Sequence, residues 1–232
     1  MCLSEKLTLG PGDLVLSDYD GTISLLDNGI EMITRLGNPA AWDLEERWRR
    51  GEISSMECMR GQWELIVLPQ EQLLTELDSL PLDESFPEFV ALCRERQADL
   101  AVVSDGLDLY VERGLRRLGL HPCWGTAPLS RAGDCVPFFA NHGEWTEHGV
   151  EVSFPLTERR CEACGDCKTA RLFSLLPGHR RVIYLGDGHS DKCVARYADV
   201  LFARDHLAEY CTDKGLPFLP FASFREVIEA LS

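Results

Sequence analysis

Residues 14–29 read LVLSDYDGTISLLDNG: an apolar run ends in two carboxylates, Asp18 and Asp20, and Gly21 and Thr22 follow. An apolar run closed by a turn signal predicts a buried strand. Three later runs share its texture: DLAVVSD at 99–105, RVIYLGD at 181–187 and DVLFA at 199–203. Between them PEFVALCRERQ and LDLYVERGLRRLGL carry apolar residues at three- and four-residue spacings, with Gly119 as the stop of the second. Strands alternating with helices predict an α/β fold, a mostly parallel sheet covered on both faces with ligands bound beyond its carboxyl edge. Asp18, Ser104, Asp105 and Asp187, each at the end of an apolar run, then gather along that edge.

From Ile23 to Gln97 the texture is helical and rich in Glu, Arg and Trp. Ser54 and Glu57 form a capping box, and Pro39, Gly51 and Pro69 divide the segment into three or four helices. That is too much chain for one crossover helix. Residues 24–84 therefore read as a helical cap inserted in a core of residues 1–23 and 85–232. Residues 121–160 hold short, mixed apolar runs that predict no element.

The chain's 232 residues, 45% of them hydrophobic, suffice for a packed core with such an insertion, and a formal charge of −15 opposes attraction to nucleic acid or anionic membrane. No apolar run approaches the roughly 20 residues of a membrane span, and MCLSEKLTLGPGDLVLS lacks the basic start and long apolar stretch of an export signal. The expected location is the cytoplasm. Ten cysteines are too few for a disulfide scaffold, so reduced thiols are expected. Cys161, Cys164 and Cys167 follow a C-x-x-C-x-x-C spacing, one thiol short of a structural zinc site; Cys123, Cys135 or a histidine would have to complete it. The other reading of the trio is reduced packing cysteines.

Side chains alternate along a strand, so Asp18 and Asp20 can face one substrate together. If Asp18 attacks a phosphoryl group, Asp20 is placed to protonate the departing oxygen and later to deprotonate the hydrolytic water. Gly21 permits a tight turn and Thr22 can hold the loop. Ser104, with the backbone N–H groups of Asp105 and Gly106, suits phosphate oxygens. Lys168, before a helical pattern, offers a fixed positive charge.

Together these pieces resemble the haloacid dehalogenase superfamily of aspartate-nucleophile phosphatases: D-x-D-x-T at Asp18, Asp20 and Thr22, the strand-end Ser104, Lys168, and G-D-x-x-x-D at Gly186, Asp187 and Asp191. The resemblance spans residues 14–204. It implies a Rossmann-like three-layer core with an inserted cap, Asp18 as nucleophile, Asp20 as acid and base, and Mg2+ as cofactor. The ion would be held by the side chains of Asp18 and Asp187 and the backbone carbonyl of Asp20, with Asp191 acting directly or through water. Independently, four aspartates against one lysine leave a net −3 that would repel a phosphate dianion without a cation. Asp20 favours phosphoryl transfer over halide displacement.

A cap between the first two motifs resembles the phosphoserine phosphatase branch. Within it, DYDGTISLLDN, the cysteine-rich approach to Lys168 and the tail FARDHLAEYCTDKGLPFLPF look most like the methionine-salvage phosphatases. Asp27 stands where the branch carries an acidic residue near the substrate, which makes it a specificity residue, or else the N-cap of a helix begun by NGIEMI. The expected partner is a small phosphorylated metabolite, not nucleic acid or membrane. A zinc- or thiol-regulated binding protein on the same frame is the alternative of a different class.

Overall fold

A computed structural model describes residues 7–36, 38–125, 129, 133–147, 149–156 and 164–232. The opening run becomes β1 (Asp13–Ser17), buried throughout, with Leu14 and Leu16 on one face and Val15 on the other. It lies inside a parallel sheet of order β3-β4-β2-β1-β6-β7-β8, in which β2 is Asp99–Leu107, β3 Pro122–Trp124, β4 Val136–Thr146, β6 Arg181–Gly186, β7 Val200–Ala203 and β8 Leu219–Pro220. A further strand, β5 (Gly149–Ser153), folds back antiparallel on β4.

Helices α5 (Phe86–Glu95), α6 (Asp108–Arg117) and α9 (Phe224–Leu231) bury Phe89, Val111 and Phe224 in the core on the Val15 side. On the Leu14 side α7 (Lys168–Leu175) and α8 (Asp205–Lys214) bury Leu172 and Leu207. The result is the expected three-layer α/β arrangement. Chain order reverses at β1, with β2 on one side and β6 on the other, and that reversal opens a crevice at the carboxyl ends.

Four helices lie between β1 and α5: α1 (Asn28–Leu36), α2 (Pro39–Arg49), α3 (Ser55–Glu64) and α4 (Gln70–Asp78). Both halves of the capping box form, Glu57 N donating to Ser54 Oγ at 3.1 Å and Ser54 N to Glu57 Oε2 at 2.9 Å. Pro39 is the first residue of α2 and Pro69 caps α4. Ser24 and Leu82 pair as an antiparallel bridge, so the chain leaves and re-enters the sheet side by side. Opposite, α3 packs on β5, and the Arg60 guanidinium sits 5.2 Å above the Phe154 ring.

Three expectations change. Residues 121–160, which predicted no element, supply β3, β4 and β5; Pro137 and Gly143 break the strand signature, and pairing with β2 supplies what local propensity lacks. Cys123 and Cys135 are disulfide-bonded with Cα atoms 5.8 Å apart, so thiols are not reduced throughout and neither can complete a zinc site. Cys161 lies outside the described residues, while Cys164 is half-buried and Cys167 buried. Among the described residues, no helix is long and apolar enough to cross a membrane.

Candidate active site

Pairing with β6 continues one bond beyond β1, Asp18 N donating to Leu185 O at 2.9 Å, and this sets the Asp18 carboxylate at the crevice. Its Oδ1 accepts from Tyr19 N at 2.6 Å and its Oδ2 lies 2.7 Å from Lys168 Nζ. Lys168, buried at the start of α7, also reaches Asp191 Oδ1 at 2.6 Å and Ser190 Oγ at 2.8 Å. The strand itself stops at Ser17, so a turn, rather than strand alternation, brings in Asp20. Asp20 Oδ1 accepts from Asn28 N at 2.9 Å and Asn28 Nδ2 at 2.8 Å, and Oδ2 from Tyr110 OH at 3.2 Å and Ser104 Oγ at 3.3 Å. Gly21 makes the turn at φ +67°, where any Cβ would collide with the Asp187 carboxylate. Arg204 Nε pins the turn by donating to Gly21 O at 2.7 Å.

Asp18, Asp187 and Asp191 each bring a carboxylate oxygen within 4.8 Å of the others. Burial, then repulsion from Asp191, pushes the Asp18 carboxyl well above its ordinary value, and Lys168 opposes this without cancelling it. Burial and Asp191 push Asp187 up to about 7. Burial would also raise Asp191, but Lys168 holds it below the usual range. Such a self-repelling set of hard oxygens fits a divalent cation. Asp191 has little left to offer one: Oδ1 takes Lys168 and Tyr184 OH, and Oδ2 takes the N–H groups of Asp187 at 3.1 Å and Gly188 at 3.0 Å. The Asp20 side chain stands apart from the triad, turned to Asn28, Tyr110 and Ser104.

Thr22 is buried and donates to Asp187 Oδ1 at 3.1 Å, so its hydroxyl holds the loop. Pairing of β2 with β4 shifts register between Val103 and Leu107, a bulge that re-aims Ser104, Asp105 and Gly106. Ser104 Oγ accepts from Gly106 N at 2.9 Å. A Cβ on Gly106 would collide with the Tyr110 hydroxyl and come 2.8 Å from Asp20 Oδ2. The Asp105 carboxylate is fully engaged with protein donors.

Asp18, Asp20, Asp105, Gly106, Lys168 and Asp187 open on a cavity of about 300 Å³ roofed by Ile30, Trp48, Met59 and Trp63 with Glu45, Arg49 and Gln62. Asp27 lines it too, and its Oδ1 accepts from Ile30 N at 2.9 Å, so it caps α1 while bordering the cavity. Asp27 is exposed at the cavity's edge, where the protein packed around it, followed by the Asp20 charge, raises its carboxyl to about 7. Burial also raises the Asp20 carboxyl, outweighing the hydrogen bonds from Asn28. A carboxyl raised by burial, in one cavity with a lysine-paired carboxylate, has the arrangement that nucleophilic attack with proton delivery requires.

Sequence reasoning did not single out Asn28, Tyr110, Tyr184 or Arg204. Asn28 follows Asp27 at a helix start and carried a local signal; Tyr110 and Tyr184 sit in apolar patterns that give none.

No family model matches the chain. It is 30% identical to the 2-hydroxy-3-keto-5-methylthiopentenyl-1-phosphate phosphatase of Geobacillus kaustophilus, over 94% of each chain. To the protein of the same name from Brevibacillus brevis it is 28% identical, over 99% of this chain and 96% of the other. Its fold is shared by a phosphoserine phosphatase holding a phospho-aspartyl intermediate analogue, with TM-score 0.67 at 17% identity over 98% of this chain and all of that one. A haloacid dehalogenase family hydrolase of Salmonella enterica serovar Typhi superposes with TM-score 0.72 at 15% identity, over 97% and 72%.

Proposed function

The chain belongs to the haloacid dehalogenase superfamily, in the family of the 2-hydroxy-3-keto-5-methylthiopentenyl-1-phosphate phosphatases, and is a phosphatase; from that premise we propose that it hydrolyses this enol phosphate or a close analogue through a phosphorylated Asp18. The observation that carries the reading is that Asp18, paired with Lys168, and Asp20, held by Asn28 and Tyr110, open on one cavity. Residues 24–84 act as the cap over a core of 1–23 and 85–232, supported by the bridge that joins their two connections.

Asp18 attacks the phosphoryl group with the carboxylate oxygen that Lys168 orients. Asp20 gives its proton to the departing oxygen, then takes one from the water that hydrolyses the aspartyl phosphate. Asp18 and Asp187 with the Asp20 carbonyl would hold Mg2+, which when bound would supply neutralisation of the phosphoryl oxygens. Asp191 works through Lys168 and the 187–188 backbone. Ser104 braces Asp20 and turns the bulge toward the phosphate.

The roof supports a substrate with an apolar tail. Ile30, Trp48, Met59 and Trp63 suit a methylthio group, while Asp27 and Gln62 suit its hydroxyl and keto oxygens. Phosphoserine would bring a carboxylate besides its phosphate, and the roof's arginine, Arg49, is already held by Glu45 at 2.8 Å. A small phosphorylated metabolite as substrate supports a cytoplasmic location, and the charge of −15 argues against nucleic-acid partners.

Phosphate release from the enol phosphate, phosphoserine and an aryl phosphate, with wild type and Asp18→Asn, tests this. Preference for the enol phosphate and silence of the variant are expected. Turnover by folded Asp18→Asn would remove the covalent step, and preference for phosphoserine would overturn the substrate.

A further inference from the structure

Asp105 belongs to the motif expected to cradle phosphate, yet its carboxylate points elsewhere. Oδ1 accepts from Gly165 N at 3.0 Å, Asp166 N at 2.8 Å and Asn141 Nδ2 at 3.2 Å; Oδ2 accepts from Ser55 Oγ at 2.8 Å. Two of these donors lie two and three residues before Lys168. The fourth is the first residue of α3, in the roof. Asn141, fully buried, clamps the arrangement by also donating to Asp105 O at 2.8 Å, and a Cβ on Gly165 would come 2.7 Å from its Oδ1. Asp166 is fixed in turn by a bidentate pair with Arg171 at 2.7 and 2.8 Å.

We propose that Asp105 is a positioning residue, a strut whose one carboxylate ties the seated cap, through Ser55, to the loop that aims Lys168 at Asp18. As an anion already turned to four protein donors, it would repel a phosphate rather than hold one. Cap seating and lysine placement then share one acceptor: a cap that lifts withdraws the Ser55 hydroxyl, and a loop that shifts unseats Lys168. The inference rests on the phosphatase reading but not on the identity of its substrate.

Three variants separate the arms: Ser55→Ala, Asp105→Ala and Asp105→Asn. The amide of Asn can still accept from the loop N–H groups and donate to Ser55, so it serves as the conservative rescue. Each is assayed with the enol phosphate and an aryl phosphate, and hydrogen exchange is followed in the peptide containing Gly165 and Asp166. For Asp105→Ala the strut predicts kcat lowered about 10–100-fold on both substrates with faster exchange, and for Asp105→Asn kcat within about threefold of wild type. For Ser55→Ala it predicts KM raised about 3–10-fold for the enol phosphate and little change for the aryl phosphate. An Asp105→Ala enzyme with altered KM alone, unchanged kcat and native exchange would show a substrate contact and overturn the strut. So would a Ser55→Ala enzyme equal to wild type on both substrates. If Asp105→Ala fails to fold, Ser55→Ala and Asp105→Asn still decide it. Failure of the phosphatase reading is seen separately, as wild type inactive on every phosphomonoester.

Discussion

Replacing Lys168 by Met removes the one ammonium set between Asp18 at 2.7 Å and Asp191 at 2.6 Å and leaves a neutral side chain of similar length. All three residues are buried, so little water can replace the lost pairing. Removing one partner of a buried pair costs about 3–5 kcal/mol. For a chain of this size that lowers the unfolding midpoint by roughly 2–4 °C per kcal/mol, or about 6–20 °C. The pH dependence has a fixed sign. Asp18 and Asp191 hold the Lys168 pKa above its ordinary value despite burial, so its stabilising contribution is full below an ordinary lysine pKa and lost above it. Asp191 is held low by Lys168, so its contribution is present above an ordinary carboxyl pKa and lost as pH falls through the lowered value. In the variant both carboxyls gain protons as pH falls from neutrality, and the deficit should be widest near about pH 8 and shrink toward about pH 5. Urea unfolding followed by circular dichroism, with chelator present, measures it. A Lys168→Met protein within about 1 kcal/mol of wild type at the upper pH, or a deficit the same at both, would refute the charge-balancing role.

Asp18→Asn should leave no measurable phosphate release, whereas Asp20→Asn should lose about 10²–10⁴-fold, most severely with poor leaving groups that need the proton; equal losses for good and poor leaving groups would deny Asp20 the acid role. Chelation should abolish turnover and Mg2+ restore it, with a larger rise in thermal midpoint near neutral pH than in acid, because Asp187, raised to about 7, takes up protons that compete with the ion; scanning calorimetry at the two pH values checks the sign. Asp27→Ser should keep the α1 cap that Asp27→Ala loses, so a fall in enol-phosphate kcat/KM shared by both, with the aryl phosphate spared, would mark the carboxylate as a specificity group.

The core was legible because its signals are local. DLVLSD, DLAVVSD, RVIYLGD and DVLFA announce themselves by composition, and β1, β2, β6 and β7 form within two residues of those bounds. Gly51 and Gly119 take the left-handed φ values, +72° and +74°, that their stop positions require. What escaped depends on distant chain. Strand β4 carries Pro137 and Gly143 and is held by β2, and the Cys123–Cys135 bond depends on the loop between β3 and β4. In the site the attacking carboxylate, lysine and acidic loop were legible by motif, but not the orientation of their neighbours. The sequence offers the Asp105 N–H to phosphate and Thr22 as a brace of the loop, but only the fold aims the Asp105 carboxylate at Ser55 and Gly165 and makes Asp187 the partner of Thr22. Tyr110 lies 90 residues from the Asp20 it braces, a separation no local pattern reports.

The crowding around Gly21 and Gly106 bears on how this enzyme can change. A methyl group at either would strike Asp187 or Tyr110, so the reacting floor is built from backbone with no unused volume, and nearly every substitution there trades against turnover. The roof is freer: Trp48 and Met59 border open space and can be exchanged without touching Asp18. Diversification toward new phosphoesters is thereby channelled into the inserted helices, and selection for altered substrates should recover its changes there while the chemistry below stays as it is.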